Sequence, residues 1–166
     1  MERGLLACHQ LIINLSGHRL AFDAYCGIGT ISLFLVRKAK KVYGIEIVEQ
    51  AVLDARENAK FNDIQNVEFI AGESEIVIPQ LIHKGLIPDV IVVDPPRKGC
   101  DERLLKAIVD VAPNRIIYVY CNPSTLARDL AIMTTSAYNV QEVQPVDMFP
   151  QTLHVECVVL MSRVTS

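Results

Sequence analysis

The sequence predicts an α/β fold: a doubly wound, mostly parallel seven-stranded sheet of Rossmann-like type, closed by an antiparallel C-terminal hairpin. Three observations predict it. Short apolar runs alternate with amphipathic, charge-bearing runs along most of the chain, and strand–helix alternation builds a parallel sheet through right-handed crossovers. Val90-Ile91-Val92-Val93 is continuously apolar, as suits a central strand buried on both faces. The pattern then changes, because 139–148 and 154–162 read as two strands with no helix between them.

The elements follow in order. Residues 19–25 form a first strand ending in a glycine-rich turn, and 30–39 a helix. A second strand covers 41–46, and 48–61 is a long helix rich in alanine and charge. A third strand at 66–71 leads into a helix at 73–84. The fourth strand, 88–94, contains the apolar run, and helix 102–111 separates it from a fifth strand at 115–121. Helix 124–134 precedes the terminal hairpin. The chain of 166 residues reads as a single domain, 1–166, with no internal repeat or linker. Its first twenty residues are the least readable.

Half of the residues are apolar and 21% are charged, which excludes a disordered chain. No apolar run is long enough to span a bilayer, and the N-terminus lacks the apolar core of a signal peptide. No membrane partner is expected. The net charge of −3 does not advertise nucleic-acid binding, which normally rests on a basic excess. The five cysteines (Cys8, Cys26, Cys100, Cys121 and Cys157) are odd in number and show no C-x-x-C spacing. A disulfide framework and a structural zinc site are therefore not expected, and a reducing cytoplasm is the simplest compartment.

The first strand runs into Asp23-Ala24-Tyr25-Cys26-Gly27-Ile28-Gly29-Thr30. Gly27 and Gly29 either allow a ligand to approach the backbone or simply make a tight turn. Glu46 ends the second strand. It is placed either to accept hydrogen bonds from two ribose hydroxyls or to favour the next helix electrostatically. Glu73 follows the third strand and is expected to flank the same ligand. Asp94-Pro95-Pro96-Arg97-Lys98-Gly99 closes the fourth strand, which places Asp94 toward a cofactor or substrate. Arg97 and Lys98 suit substrate phosphates, with ordinary surface charge as the alternative.

Cys121-Asn122-Pro123 ends the fifth strand and opens a helix, with Asn122 suited to the N-cap and Pro123 to the first turn. A thiol beside a helix N-terminus is shifted toward thiolate, whereas a buried thiol is merely a small hydrophobe. Glu156 stands in the apolar run 155–161 and shares a strand face with His154. It needs a structural partner or a purpose, and desolvation would lift its pKa toward the range of proton transfer. No catalytic role is assigned to His154.

Taken together, the segments 23–30 (DAYCGIGT), 44–46 (GIE), 94–99 (DPPRKG), 120–128 (YCNPSTLAR) and 147–156 (DMFPQTLHVE) resemble the RNA 5-methyluridine methyltransferases. The resemblance covers nearly all of the chain from Asp23 onward. It implies the class I S-adenosylmethionine-dependent methyltransferase variant of the fold. It also implies S-adenosyl-L-methionine as cofactor and a uridine in RNA as substrate, with ribosomal RNA ahead of transfer RNA. In this pattern Cys121 is the nucleophile and Glu156 the base. Tyr25, Gly27, Gly29, Thr30, Glu46, Glu73 and Asp94 fall on the cofactor side, and Arg97 on the substrate side. Members of the family carry an upstream RNA-binding region, often a small β-barrel, which residues 1–22 do not show; the chain is therefore expected to be a catalytic part. Some members bind an iron–sulfur cluster through upstream cysteines, and without such a group of cysteines no iron–sulfur cluster is expected in this chain. Three rivals remain. A 5-methylcytosine enzyme often places cysteine directly after the paired prolines, where Arg97 stands here. An adenine or guanine N-methyltransferase often carries an aromatic there. A noncatalytic module would retain the fold alone.

Overall fold

In the computed structural model, residues 20–120, 123–136, 138–146 and 156–164 are described. They form one seven-stranded sheet of β1 (Leu20–Ala24), β2 (Lys41–Glu46), β3 (Val67–Ala71), β4 (Val90–Val93), β5 (Arg115–Tyr120), β6 (Tyr138–Val146) and β7 (Glu156–Arg163). The strand order is β3-β2-β1-β4-β5-β7-β6. The first five strands are parallel, and β7 runs antiparallel between β5 and β6. The predicted hairpin thus closes the sheet, with β7 inserted next to β5.

Five helices flank the sheet: α1 (Thr30–Leu35), α2 (Glu49–Phe61), α3 (Ser74–His83), α4 (Glu102–Val111) and α5 (Pro123–Thr134). Each buries a stripe at helical spacing. In α2 it is Val52, Ala55 and Ala59; in α4 it is Leu104, Leu105 and Ile108. One face of the sheet packs Phe22, Ile91, Val93, Tyr118 and Val159 against α3, α4 and α5. The other packs Val42, Val90, Val92 and Ile117 against Leu35 of α1. All four residues of β4 are buried, as its unbroken apolar run requires.

Most predicted bounds hold within two residues. The 30–39 helix is the clearest difference, since α1 stops at Leu35. Its end tightens, with the Arg37 and Lys38 amides donating to Phe34 O and Leu35 O three residues back. The Asp101 side chain caps α4 by accepting from the Arg103 amide at 2.9 Å. Among the described residues, no helix is long and apolar enough to cross a membrane. Cys121, Asn122 and the segment 147–155, with His154, lie outside the described residues, as do 1–19.

Candidate active site

The order of the sheet reverses between β1 and β4, the place where open α/β sheets bind ligands beyond the carboxyl ends of their strands. A cavity of about 580 Å³ lies there. Tyr25 from β1, Glu46 from β2, Glu73 from β3 and Asp94 from β4 all line it. Four residues spread over 70 positions of sequence are thus brought to one hollow. A hollow of similar volume flanks the outer edge of β3 against α2, but none of the predicted site residues line it.

Glu46 organises the floor. One carboxylate oxygen accepts from the Gly27 amide at 3.0 Å, the other from the Val48 amide at 2.9 Å. The glycine turn is thereby tied to the end of β2, and Cys26 N donating to Ile45 O at 2.9 Å reinforces the tie. A carboxylate has about four acceptor positions, so Glu46 keeps capacity for further donors. The two glycines then part company. Gly27, at φ +54°, has open space where a side chain would stand. At Gly29, φ +85°, a Cβ would lie 2.7 Å from the Phe69 ring and 3.1 Å from Ala55. Gly29 therefore serves packing of α2 and β3, while Gly27 leaves the backbone approachable. Tyr25 is a non-glycine residue at φ 65°, a rarely occupied conformation that recurs at functional sites. Thr30 lines a separate cleft of about 250 Å³ between α1 and α2, with Phe34 and Asn58.

Asp94 is exposed at the cavity, and the protein around it removes part of its water. That desolvation, with the neighbouring Glu156 charge as second cause, pushes its carboxyl up to about 7. Glu156 is half-buried, and burial raises its pKa as well. The Glu156 charge at the start of β7 thus acts on Asp94 at the end of β4. Arg97 is exposed on the loop after Pro96, while its neighbour Lys98 lines the cavity. Helix α5 begins at Pro123, in agreement with the predicted first turn. Cys121 falls between β5 and α5, outside the described residues.

Several site residues escaped the sequence reading. Ser74, at the start of α3, lines the cavity; it is 2% exposed, and its hydroxyl has no partner among the described residues. Its signal was a polar residue on the apolar stripe Ser74, Ile78, Leu81. Asp101 and Arg103 of the α4 start also line the cavity, and Arg103 reaches Glu75 of α3 at 4.0 Å. Behind Asp94, the Tyr120 hydroxyl donates to Pro96 O at 3.0 Å. No periodicity announces such loop contacts.

The strand order, the antiparallel seventh strand and the polar cavity at the β1–β4 switch define a class I methyltransferase fold. The chain belongs to the tRNA (uracil-5-)-methyltransferase family, whose model matches residues 10–164. An uncharacterized RNA methyltransferase of Bacillus cereus is 62% identical over 151 residues, covering 91% of this chain and 33% of the relative. One from Clostridium acetobutylicum is 59% identical, with coverage of 91% and 33%. The chain thus spans about a third of the length of these relatives. Among solved structures, the Pyrococcus abyssi tRNA (uracil-54, C5)-methyltransferase in complex with S-adenosyl-L-homocysteine is 31% identical. Its TM-score is 0.80, over 95% of this chain and 38% of that one. An rRNA methylase from Streptococcus thermophilus, 15% identical, shares the fold at a TM-score of 0.75 and covers 98% of each chain.

Proposed function

We propose that this chain carries the catalytic centre of an S-adenosylmethionine-dependent RNA methyltransferase that forms 5-methyluridine through a covalent cysteine–C6 adduct. The observation that carries the reading is the strand register beside the cavity. β5 pairs with β7 up to Tyr120 opposite Cys157; the next residue of the sequence in each direction is Cys121 on one side and Glu156 on the other. Asp94 at the cavity in turn senses the Glu156 charge.

The cavity fits the proposed cofactor. Glu46 retains acceptor capacity for a pair of ribose hydroxyls, and the buried Ser74 hydroxyl lacks a partner among the described residues. Glu46, Glu73, Glu75 and Asp94 make the lining acidic, which suits a ligand bearing a sulfonium and an ammonium group. When bound, S-adenosylmethionine supplies an electrophilic methyl group. Cys121, as thiolate, adds to C6 of the uracil ring; the C6–S bond forms and the ring electrons make C5 nucleophilic toward that methyl. Glu156, its basicity raised by burial, removes the C5 proton. The C5–C6 double bond returns as the C6–S bond breaks, and the thiolate leaves. Arg97 is proposed to meet an RNA phosphate, and the target base to be extruded from its stack. Gly27 gives the cofactor close approach to the backbone, with Tyr25 and Glu73 as its walls; Gly29 and Thr30 support the turn. A cytoplasmic location is part of the proposal, because its reducing conditions keep Cys121 a thiol.

The test is trapping with RNA containing 5-fluorouridine, whose C5 fluorine cannot leave as a cation. With S-adenosylmethionine present, a methylated covalent adduct is expected, mapping to Cys121 by peptide mass spectrometry and lost in Cys121→Ala. Ribosomal and transfer RNA fragments assayed side by side then separate the two substrate classes. Cofactor binding without any adduct would overturn the thiolate mechanism.

A further inference from the structure

Asp129 is fully buried in α5, and its carboxylate is saturated by groups from three elements. One oxygen accepts from the Cys100 amide at 2.9 Å and from the Tyr118 hydroxyl of β5 at 2.5 Å. The other accepts from Arg128, Nε at 2.8 Å and Nη2 at 2.6 Å. The same Arg128 Nη2 donates to Lys98 O at 3.3 Å. Tyr120 adds its bond to Pro96 O at 3.0 Å. The loop 94–101 therefore hangs on β5 and α5 at Pro96, Lys98 and Cys100. Gly99 completes the fit: at φ +89°, a Cβ there would strike the Arg128 guanidinium and come within 2.8 Å of the Asp129 carboxylate.

This arrangement has a mechanical meaning. The loop begins with Asp94 at the cavity and carries exposed Arg97. β5 ends at Tyr120 and α5 begins at Pro123, so the two elements that grip the loop are those flanking Cys121 in sequence. A buried carboxylate whose acceptor positions are filled from the loop, β5 and α5 at once is a strong geometric constraint. Two of these bonds end on the carbonyls of Pro96 and Lys98, which line the cavity, while Asp129 itself stays behind the loop.

We propose that Asp129, with Arg128, is a positioning clamp that locks the loop bearing Asp94 and Arg97 to the two elements flanking Cys121, and so sets the register of the reacting groups. The proposal rests on the uridine reading for its catalytic consequence and on the hydrogen bonds alone for its mechanical part. The test uses Asp129→Asn, which keeps shape but loses charge, and Gly99→Ala, which breaks the same contact from the loop side. At saturating RNA and cofactor, single-turnover methyl transfer is expected to fall about 30-fold or more, since a misplacement of about 1 Å can cost about 100-fold. Cofactor affinity, which also rests on Glu46 and Glu73 outside the loop, should fall by less than the rate does. Because both changes open one clamp, the double variant should be no slower than the slower single one. Hydrogen exchange should accelerate together in the peptides covering 94–101 and the start of α5.

Should Asp129→Asn fail to fold, Tyr118→Phe and Arg128→Lys each remove part of the clamp and are expected to slow transfer about 3–10-fold. Folded variants that transfer methyl at wild-type rate would overturn the proposal. So would losses that multiply in the double variant. A wild type that shows no methyl transfer would overturn the uridine reading instead. The exchange measurement would then still decide the clamp, because unchanged protection in Asp129→Asn refutes it.

Discussion

Replacing Glu46 with glutamine separates the two roles this carboxylate holds. Its oxygens accept from the Gly27 and Val48 amides. A glutamine side chain offers one oxygen only, so one of the two amides must face an NH₂ group. The amide of Val48 lies at the exposed end and can turn to water, so the oxygen should stay with Gly27. The folding cost is then one exposed hydrogen bond, about 1 kcal/mol, or a loss of about 2–4 °C in Tm for a domain of this size. The binding cost is larger. A hydrogen bond to a charged acceptor contributes about 1.5–3 kcal/mol against about 0.5–1.5 for a neutral one, so the two ribose hydroxyls together lose about 2–3 kcal/mol. At about 1.4 kcal/mol per decade, Glu46→Gln should weaken S-adenosylhomocysteine binding roughly 10–100-fold. Titration calorimetry on both proteins, paired with thermal melts, reads the two effects independently. A normal affinity beside a lowered Tm would refute the ribose role and leave Glu46 as a backbone organiser alone.

Four further outcomes follow from particular residues. Gly44→Ala places a Cβ 2.6 Å from the Phe69 ring and 2.9 Å from the Ser32 hydroxyl, so denaturant melts should show about 1–3 kcal/mol of overpacking strain. Phe69→Leu in the same background should recover part of it. Asp23 is buried with a folded pKa of about 7 against 3.8, raised by desolvation. Its proton therefore stabilises the fold at low pH, and that stabilisation drains away as pH climbs from about 4 through about 7. The Tm of Asp23→Asn relative to wild type should accordingly rise across that window and level off above it; a flat difference would contradict the raised pKa. With Glu156→Gln, an adduct on ordinary uridine RNA should persist on denaturing gels, because removal of the C5 proton stalls. Arg97→Ala should reduce the slope of log affinity against log salt by about one, the signature of a single phosphate contact, while preference among RNA sequences stays unchanged.

The fold was legible because it rests on period and punctuation. β2 and α4 match their predicted bounds, and the all-buried β4 is the run Val90–Val93. The end of α1 was not legible, since tightening at Arg37 and Lys38 depends on backbone bonds rather than on composition. The cavity walls Tyr25, Glu46, Glu73 and Asp94 could be listed in advance because each ends a parallel strand, and strand ends converge by topology. The division of labour between Gly27 and Gly29 could not be read. It is decided by Phe69, forty residues downstream of Gly29, whose ring occupies the space beside one glycine and not the other.

A polar residue on an apolar stripe is the strongest single signal in this sequence. Glu156 is an acid in an apolar strand. The same test, applied along every element, finds the polar groups that matter most. Asp23 stands in β1, whose last four residues are all buried. Ser32 is buried with Leu35 in α1, and donates to Asp23 at 2.6 Å. Ser74 opens the stripe it shares with Ile78 and Leu81. Asp129 lies between Leu126 and Met133 on the inner face of α5. Burial of a polar group costs free energy unless a partner meets it. A sequence that places a polar residue on a core stripe therefore encodes either that partner or a ligand. For Asp129 the partners are present and define a clamp. Ser32 meets one oxygen of Asp23, while the other oxygen of Asp23 and the hydroxyl of Ser74 have none among the described residues. Both lie at the ends of the elements surrounding the cavity. If the cofactor is what repays Ser74, then Ser74→Ala should leave stability unchanged or slightly raised, by removing an unsatisfied hydroxyl, while weakening S-adenosylhomocysteine binding by about threefold to tenfold, the measure of one neutral hydrogen bond. Equal affinity in the variant would remove Ser74 from the site and leave its burial without a ligand-based reason.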